Sequence, residues 1–515
     1  MLAKVYSSAV LGIDGYLVEV EVDVSAGLPG LTLVGLPDIA VKESKERVKA
    51  AIKNSEFNFP VKKITVNLAP ADIKKEGVGF DLPIAIGILG ASGEISNEDL
   101  EGYVFAGELS LDGEIRPIRG ILPMALSAKE NRKKGMVVSH ANADESAVVE
   151  GLDVYPVSTL HEVVNFLNHK INITPYSIDL RKVFSENNKY DLDFQEVKGQ
   201  GHVKRALEIS AAGNHNVLMI GPPGSGKTML AKRLPTILPS LTLLEAIEIT
   251  KIYSVSGLLP KHLSLIATRP FRSPHHTISD AGLIGGGHSI RPGEISLSHN
   301  GVLFLDELPE FQRDVLEGLR QPLEDEVVTI SRAKNSISYP ARFMFVGAMN
   351  PCPCGFLTDE RKECICTPLQ IHKYFSKISG PLLDRIDIHI EVPNVSYKDL
   401  AKEKETEESS SEIRKRVNKA RKVQKKRFEK EGIYTNSQMK PRHIKKYCKI
   451  KDSSKELLKT AIDNLGFSAR AYNRILKISR TIADLEGAPD ILDTHIAEAI
   501  QYRSLDRGYW LDARL

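Results

Sequence analysis

The feature that most constrains the fold of this chain is a short apolar stretch that runs directly into a glycine-rich loop. Asn216 to Ile220 is the apolar stretch, and the loop that follows is Gly221, Pro222, Pro223, Gly224, Ser225, Gly226, Lys227 and Thr228. This is the G-x-x-x-x-G-K-[ST] spacing in the strand–loop–helix setting that a phosphate-binding loop requires. Backbone N–H groups of such a loop and the start of the following helix attract anions. We therefore predict that these eight residues bind ATP, with Lys227 at the β- and γ-phosphates and the Thr228 hydroxyl on Mg²⁺.

Two further apolar stretches each end in polar side chains suited to phosphoryl transfer. The first, 302–305, precedes Asp306 and Glu307, and the second, 343–349, precedes Asn350. A carboxylate at the end of a neighbouring parallel strand can hold Mg²⁺, and the next one can polarise the attacking water. We assign Asp306 to the metal and Glu307 to the water, and expect Asn350 to sense the γ-phosphate and orient that water.

Composition excludes several classes of protein. The 515 residues carry 69 Lys plus Arg against 66 Asp plus Glu, and 42% are hydrophobic, which is typical of globular proteins. The sequence has no apolar run of about 18 residues, so we expect no membrane span. The first residues lack the pattern of a secretory signal, and we expect a cytoplasmic protein.

Changes in periodicity divide the chain into four parts. Residues 1–170 mix strand and helix patterns, including an alternating strand at Tyr16–Val24 and a helix at Asp38–Ser55. Residues 171–195 are predicted to be a linker. Residues 196–393 have the strand–loop–helix rhythm of an α/β nucleotide-binding sheet. Residues 394–515 begin with a basic segment and continue with helical patterns only.

Four of the five cysteines fall within 15 positions, as Cys352, Cys354, Cys364 and Cys366. Four thiolates on a loop rich in proline and glycine suit a structural Zn²⁺ ion in tetrahedral geometry. The alternatives are free reduced thiols or two redox pairs. Cys448 is expected to be an ordinary buried thiol.

Two basic segments predict contacts with a phosphate backbone. Alternating residues between Val327 and Arg342 predict a hairpin whose tip carries Arg332 and Lys334. The run Arg414–Lys430 holds ten lysines and arginines against a single acid, and as a helix it should be basic on almost every side. Basic tips suit nucleic acid, so we expect DNA as the partner. A solvated hairpin and a solvated or disordered run are the alternatives.

These motifs together resemble the magnesium-chelatase-like YifB/ComM family of AAA+ ATPases. The residues that carry the resemblance are the phosphate-binding loop, Arg272–Thr277, Gly301–Phe311 and Pro351–Gly355. The resemblance spans nearly the whole chain. It implies an α/β protein with an N-terminal Lon-protease-like α+β domain (S5-like), a central AAA+ P-loop domain and a C-terminal α-helical lid. It also implies a homo-hexamer, and a helix-two insert at Gly282–Gly293.

The resemblance assigns roles to several arginines. A neighbouring subunit in such a ring inserts an arginine into the ATP site, and Arg385 matches the segment that provides it, with Arg320 as the second candidate. Arg470 matches the second sensor that touches the γ-phosphate, with Arg474 as its alternate. A guanidinium matters there because negative charge spreads over the transferring phosphoryl group. The His275-His276 pair stays unassigned between a metal role and a structural role.

The N-terminal domain resembles the Lon protease fold but lacks its reactive groups. The family uses a serine activated by a lysine, and the matching positions here are Gly79 and Leu122. We therefore expect a domain without protease activity that serves assembly or DNA contact.

The leading interpretation is a hexameric ATP-driven motor on single-stranded or branched DNA, which by resemblance implies a branch-migration helicase in recombination or natural transformation. A chelatase-type motor subunit for Mg insertion into porphyrin and a protein-remodelling ATPase are the alternatives.

Overall fold

The structure is a computed structural model that describes residues 1–96, 99–260, 263–287, 290–331, 336–357, 359, 362–395, 407–465 and 468–503. The chain forms two compact units. The first contains Met1–Asn188 together with Leu243–Ala267, and the second contains Lys189–Thr242 and Thr268–Leu515. The segment Leu243–Ala267 lies inside the predicted 196–393 core along the sequence but belongs to the first unit in space.

The first unit is built on a seven-stranded mixed sheet of order β3-β4-β2-β1-β5-β8-β9, with a two-stranded ribbon of β6 and β7. Its strands are β1 (Leu2–Leu11), β2 (Asp14–Ser25), β3 (Gly30–Val34), β4 (Lys63–Ala69), β5 (Tyr103–Ala106), β6 (Glu108–Leu109), β7 (Ile115–Arg116), β8 (Gly135–Ser139) and β9 (Asp153–Val157). Its helices are α1 (Ile39–Asn54), α2 (Asp81–Ser92), α3 (Ile121–Glu130), α4 (His140–Ser146), α5 (Leu160–Leu167), α6 (Leu180–Asn187) and α9 (Leu243–Ser256).

Sequence patterns predicted the main elements of this unit correctly. Alternate valines of β2 are buried beneath α2 and α3, as the alternation requires. Helix α1 begins where the Asp38 carboxylate accepts a hydrogen bond from the Val41 N–H, which satisfies one of the free donors of the first turn. The predicted linker contains α6, whose Leu180 is buried in the core of this unit.

The second unit contains a five-stranded parallel sheet of order β11-β14-β17-β10-β18 and two hairpins, β12–β13 and β15–β16. Its strands are β10 (Val217–Ile220), β11 (Phe271–Arg272), β12 (Gly285–Gly286), β13 (Arg291–Pro292), β14 (Val302–Leu305), β15 (Val327–Ser331), β16 (Ser336–Pro340), β17 (Met344–Met349) and β18 (Ile388–Glu391). The helices around the sheet are α7 (Gly201–Gly213), α8 (Lys227–Ile237), α10 (Asp280–Leu283), α11 (Glu294–Leu297), α12 (Arg313–Glu317), α13 (Arg320–Asp325), α14 (Pro368–Phe375) and α15 (Gly380–Leu383).

The rest of the second unit is helical in its described part, as the patterns predicted. Its helices are α16 (Ser410–Arg427), α17 (Pro441–Tyr447), α18 (Asp452–Leu465), α19 (Ala469–Glu486) and α20 (Asp493–Gln501). Side chains of α16 and α19 share one continuous hydrophobic core with the sheet strand β10 and with α7 and α8. Of the helices that the structure describes, none combines the length and the apolar character needed to cross a bilayer.

Candidate functional site

The predicted site residues follow three neighbouring strands of the parallel sheet. Strand β17 lies between β10 and β14 and pairs with both in parallel, with Val217 opposite Val346 and Val302 opposite Met344. The carboxyl ends of parallel strands meet at one edge of a sheet, and ligands bind in the crevice outside that edge. The phosphate-binding loop, Asp306 and Asn350 are therefore brought together there.

The phosphate-binding loop is held in a conformation that its glycines permit. Gly226 has φ +89° and immediately precedes α8, which begins at Lys227. The Lys227 ammonium is buried and donates hydrogen bonds to the carbonyl oxygens of Gly221 (2.7 Å) and Pro222 (2.9 Å), and to Oδ1 of Asn350 (3.3 Å). Burial lowers the pKa of Lys227, and the charge of Asp306 opposes that shift. The anionic oxygens of a polyphosphate would accept stronger hydrogen bonds from this ammonium than the carbonyl groups do.

Thr228 and Asp306 form a direct contact across the sheet edge. The Thr228 hydroxyl donates to Oδ2 of Asp306 over 2.7 Å, and the other carboxylate oxygen accepts from the Glu307 N–H over 3.0 Å. A hydroxyl and a carboxylate are the oxygen ligands with which phosphate-binding loops hold Mg²⁺. The pair therefore fits a Mg²⁺ ion that arrives with a nucleotide.

Glu307 projects from a strained turn toward the His275-His276 pair. Its backbone has φ +51°, and its side chain is 60% exposed. Nδ1 of His276 lies 3.5 Å from Oε2 of Glu307. The His276 ring also lies 4.1 Å, centroid to centroid, from that of His275 and meets the edge of Phe311. Neither local spacing nor composition pointed to this contact, because 30 residues separate the two side chains in sequence.

The candidate arginines differ in how they are held. Arg385, the candidate for the arginine supplied by a neighbouring subunit, is 13% exposed and pairs with Glu324. It also donates to the Pro381 carbonyl oxygen over 2.7 Å. Arg320 pairs with Glu317 over 2.8 Å. Arg470, the sensor candidate, is 65% exposed and lies 3.2 Å from Asp384. Each of the three thus has an acidic partner in the same chain.

Arg474, the alternate sensor, is part of a buried network. It pairs with Asp387 over 2.5 Å, and the second oxygen of Asp387 lies 3.1 Å from Nδ1 of His215. Nε2 of His215 lies 2.8 Å from the hydroxyl of Thr481 on α19. Burial alone would raise the pKa of Asp387, but Arg474 and His215 outweigh it and hold that pKa far below its ordinary value. The network joins α19 to the start of β10, so the arrangement of Arg474 favours a structural role.

The four clustered cysteines converge on one point. All four Sγ atoms lie within 4.8 Å of one another, and the Sγ of Cys352 lies 3.3 Å from that of Cys354 and 3.6 Å from that of Cys364. Zn–S bonds of about 2.3 Å in a tetrahedron place the sulfurs about 3.8 Å apart. Burial opposes ionisation of Cys354, but the N–H groups of Phe356 and Ile365 outweigh it and lower the pKa to about 6. The donor set fits a zinc ion.

The cysteine loop packs against the phosphate-binding loop. Gly355 has φ +86°, and a Cβ atom there would lie 2.6 Å from Cδ of Pro223 and 3.9 Å from Cγ of Asn350. Only glycine therefore permits this approach. The thiol cluster and the nucleotide loop are direct neighbours.

A carboxylate occupies the region of the first unit that corresponds to the lysine of a Lon-type dyad. Leu122 lies in the first turn of α3, and its N–H donates to Oε1 of Glu145 over 3.1 Å. The hydroxyl of Ser254, on α9, donates to the same oxygen, and the Gly120 N–H donates to the Ser254 carbonyl oxygen over 3.3 Å. Burial raises the pKa of Glu145. Glu145 could not be singled out from sequence patterns, because its partner Ser254 comes from a distant segment.

The predicted basic hairpin is present as β15 and β16, with Val327 opposite Pro340 and Ser331 opposite Ser336. Its tip, with Arg332 and Lys334, lies outside the described residues. The DNA contacts assigned to these two side chains therefore stay predictions.

Three family models match the chain, and together they cover most of its length. They are described as magnesium chelatase subunit ChlI over residues 193–400, subunit ChlI of Mg-chelatase over 20–142, and the subunit ChlI C-terminal region over 407–503. The chain is 47% identical to the competence protein ComM of Haemophilus influenzae and 43% identical to the protein YifB of Salmonella typhimurium, in each case over 98% of both chains.

A more distant similarity bears on the fold. The chain is 26% identical to Lon protease 2 of Bacillus subtilis over 189 residues, which are 33% of this chain and 34% of that protein. The mixed sheet of the first unit and the parallel sheet of the second agree with the α/β layout expected from the sequence.

Proposed function

The chain belongs to the YifB/ComM family of magnesium-chelatase-like AAA+ ATPases, and from this premise we propose that it is a hexameric, ATP-driven motor that moves DNA. Membership of the family implies ATP hydrolysis with Mg²⁺. The observation that carries the proposal is the convergence of Lys227, Thr228, Asp306 and Asn350 at the ends of three adjacent parallel strands.

The proposed roles in ATP hydrolysis follow from these positions. Lys227 exchanges its loop carbonyl partners for the β- and γ-phosphate oxygens, and Thr228 with Asp306 holds the metal. Mg²⁺, when bound, neutralises charge on the β- and γ-phosphates. Glu307 accepts the proton of the attacking water, which Asn350 helps to orient. Arg470 stabilises the charge that spreads over the γ-phosphate.

We propose that ATP lies between subunits of the ring, with Arg385 supplied by the neighbour. In this arrangement Arg385 would exchange Glu324, its ion-pair partner within the chain, for the phosphates of the neighbouring site when that site binds ATP. Exchange of one anionic partner for another costs less than exposure of a free charge. Arg320, which pairs with Glu317, is the second candidate.

Three observations support DNA as the substrate. A relative that is 47% identical over nearly the full length is named a competence protein. The predicted hairpin tip carries Arg332 and Lys334, a composition that suits a phosphate backbone. Helix α16 presents a row of lysines to solvent. Branch migration or unwinding during recombination or natural transformation, in the cytoplasm, is the reaction we propose.

The four cysteines are proposed to hold one structural zinc ion. Zinc would rigidify a loop that touches both Pro223 and Asn350, and so stabilise the geometry of the nucleotide site. The first unit is proposed to serve assembly or DNA contact without peptidase chemistry, because glycine and leucine stand where the dyad residues would be.

A chelatase-type motor for Mg insertion into a porphyrin is the second candidate, because all three matching family models carry the chelatase name. A motor that remodels proteins is the third. The three candidates differ in what stimulates ATP hydrolysis: DNA, a porphyrin-binding partner or an unfolded polypeptide.

The deciding experiment measures ATP hydrolysis by the purified chain alone, with single-stranded DNA and with a forked duplex. We expect stimulation by DNA and ATP-dependent strand separation of the fork, with Glu307→Gln as the inactive control. Absence of both effects at low salt would contradict the DNA motor.

A variant tests the hairpin separately. Arg332→Gln with Lys334→Gln should lower stimulation by DNA and leave DNA-independent hydrolysis unchanged, because neither residue belongs to the nucleotide site. The loss should be similar for DNA of any sequence, since backbone contacts carry no base information.

A further inference from the structure

Buried and exposed side chains lie on opposite sides of helix α16. Ile413, Val417, Ala420 and Gln424 are buried, and at 100° per residue they fall on one side of the helix. This side packs against α7, α8 and α19. The expectation that the basic run would be charged on nearly every side is therefore wrong, and the helix is amphipathic.

The arginines of α16 lie at the edges of its buried side and have partners there. Arg414 lies over the ring of Tyr190, Arg416 pairs with Glu208 and Glu408, Arg421 donates to the Ala211 carbonyl oxygen, and Arg427 pairs with Asp484. Because these guanidinium groups are engaged within the unit, they have a structural role.

Four lysines occupy the opposite side. Lys415, Lys419, Lys422 and Lys426 follow one another at intervals of four, three and four residues, which places them within about 60° of one another around the axis. All four are exposed, and among the residues that the structure describes none of them forms a hydrogen bond or an ion pair. We call these four residues the lysine ridge.

The lysine ridge is unfavourable for the isolated chain. Like charges three or four residues apart destabilise a helix. The fold does not need these lysines, because the buried side of the helix and its paired arginines already hold it in place. A polyanion on the ridge would reverse the sign of this interaction.

We propose that the lysine ridge binds the phosphate backbone of DNA, a site that rests on the proposed DNA motor and adds to it a contact outside the ATPase sheet. Lys415 and Lys426 are eleven residues apart, which is about 17 Å along a helix. One strand of duplex DNA presents about five phosphates over that axial distance. The ridge thus matches the DNA backbone in charge density.

An anionic membrane is the other polyanion to consider, and the surroundings of the ridge disfavour it. A helix that lies in a bilayer surface needs a broad apolar face turned toward the lipid. The apolar side of α16 is buried in the protein, and Val423 is its single exposed large apolar residue.

The test replaces Lys415, Lys419, Lys422 and Lys426 by glutamine and measures duplex DNA binding to the full-length protein between low and moderate salt. The magnitude of the slope of log affinity against log salt should fall by about 3.6, because each of the four lost phosphate contacts removes about 0.9. ATP hydrolysis without DNA should be unchanged. Binding should fall equally for unrelated DNA sequences.

A matched control replaces four other exposed lysines of the same unit, Lys445, Lys449, Lys451 and Lys459, by glutamine. It changes net charge equally and should leave the slope within about 1 of the unaltered protein. An unchanged slope in the ridge variant, or an equal loss in the control, would overturn the ridge while leaving the DNA motor intact. If the unaltered protein binds no DNA, both proposals fail. If these lysines bind vesicles of anionic lipid and their replacement leaves DNA binding unchanged, the ridge proposal alone fails.

Discussion

Nδ1 of His276 lies 3.5 Å from the carboxylate oxygen Oε2 of Glu307, the proposed base for ATP hydrolysis. Glu307 is well exposed, and among the residues that the structure describes this imidazole is the one side chain that lies within ion-pair distance of its carboxylate. His276 follows strand β11, and β11 pairs with strand β14, which directly precedes Asp306. A change in the path of this segment would therefore turn the base toward or away from the attacking water.

We predict that His276→Ala lowers kcat by about 10- to 100-fold, because a misplaced catalytic group costs about that much. The affinity for a nucleotide should stay within about twofold. Steady-state hydrolysis and binding of a fluorescent nucleotide analogue measure the two effects. In the Glu307→Gln background the same change should have no further effect, and additive losses would show that His276 acts elsewhere.

Arg385 is the arginine that we propose a neighbouring subunit inserts into the ATP site. Arg385→Ala should lower the rate of ATP hydrolysis by about 10³-fold, within the range known for such arginines. Mixed rings that combine Arg385→Ala subunits with Lys227→Ala subunits should regain activity, because a complete site forms where an intact loop meets an intact neighbour. Rings that assemble but stay inactive would favour Arg320, which the same mixing experiment can test.

We predict one zinc ion per chain, measured by elemental analysis of protein purified under reducing conditions. Cys352→Ser should abolish zinc and lower the midpoint of thermal unfolding by about 5 °C or more, since binding of such a metal is coupled to folding of its loop. Cys448→Ser is the matched control, because Cys448 is buried apart from the cluster. Metal-free protein with unchanged stability would contradict the assignment.

Ionisation of Asp387 should make the free energy of unfolding depend on pH at acidic values. Its folded-state pKa is lowered, with Arg474 and His215 outweighing burial, so its contribution is present above the unfolded value of about 3.9 and is lost as pH falls through the lower folded value. We predict that Asp387→Asn lowers the free energy of unfolding by about 3 kcal/mol at pH 7, because Arg474 is left buried without its partner. Urea unfolding should show this difference shrinking below about pH 4. A difference that is constant from pH 7 to pH 3 would contradict the linkage.

Local patterns were sufficient for the parts of the site that depend on strand ends. The phosphate-binding loop, Asp306 and Asn350 each directly follow an apolar strand, and the parallel arrangement of those strands brings them together. Helix starts were equally visible, as at Asp38, whose carboxylate accepts from the Val41 N–H. Such features depend on neighbours in sequence.

Features that depend on distant partners were not predictable. His276 was singled out but not assigned, since its contact with Glu307 exists only once β11 and β14 are paired. The run Arg414–Lys430 looked uniformly basic because arginine and lysine count alike in a charge pattern. Burial of Val417 on one side, and partners such as Asp484 for Arg427, separate the structural arginines from the exposed lysines.

The placement of Leu243–Ala267 in the first unit limits how the chain can be truncated and how its domains can be exchanged. The chain passes between the units three times, so no single truncation point yields either unit whole. Deleting residues 1–188 would leave the buried side chains of Ala246, on α9, and Leu265 without the core that covers them. Exchange of the first unit for a homologous one would therefore require three joints in the gene, one at each crossing of the chain.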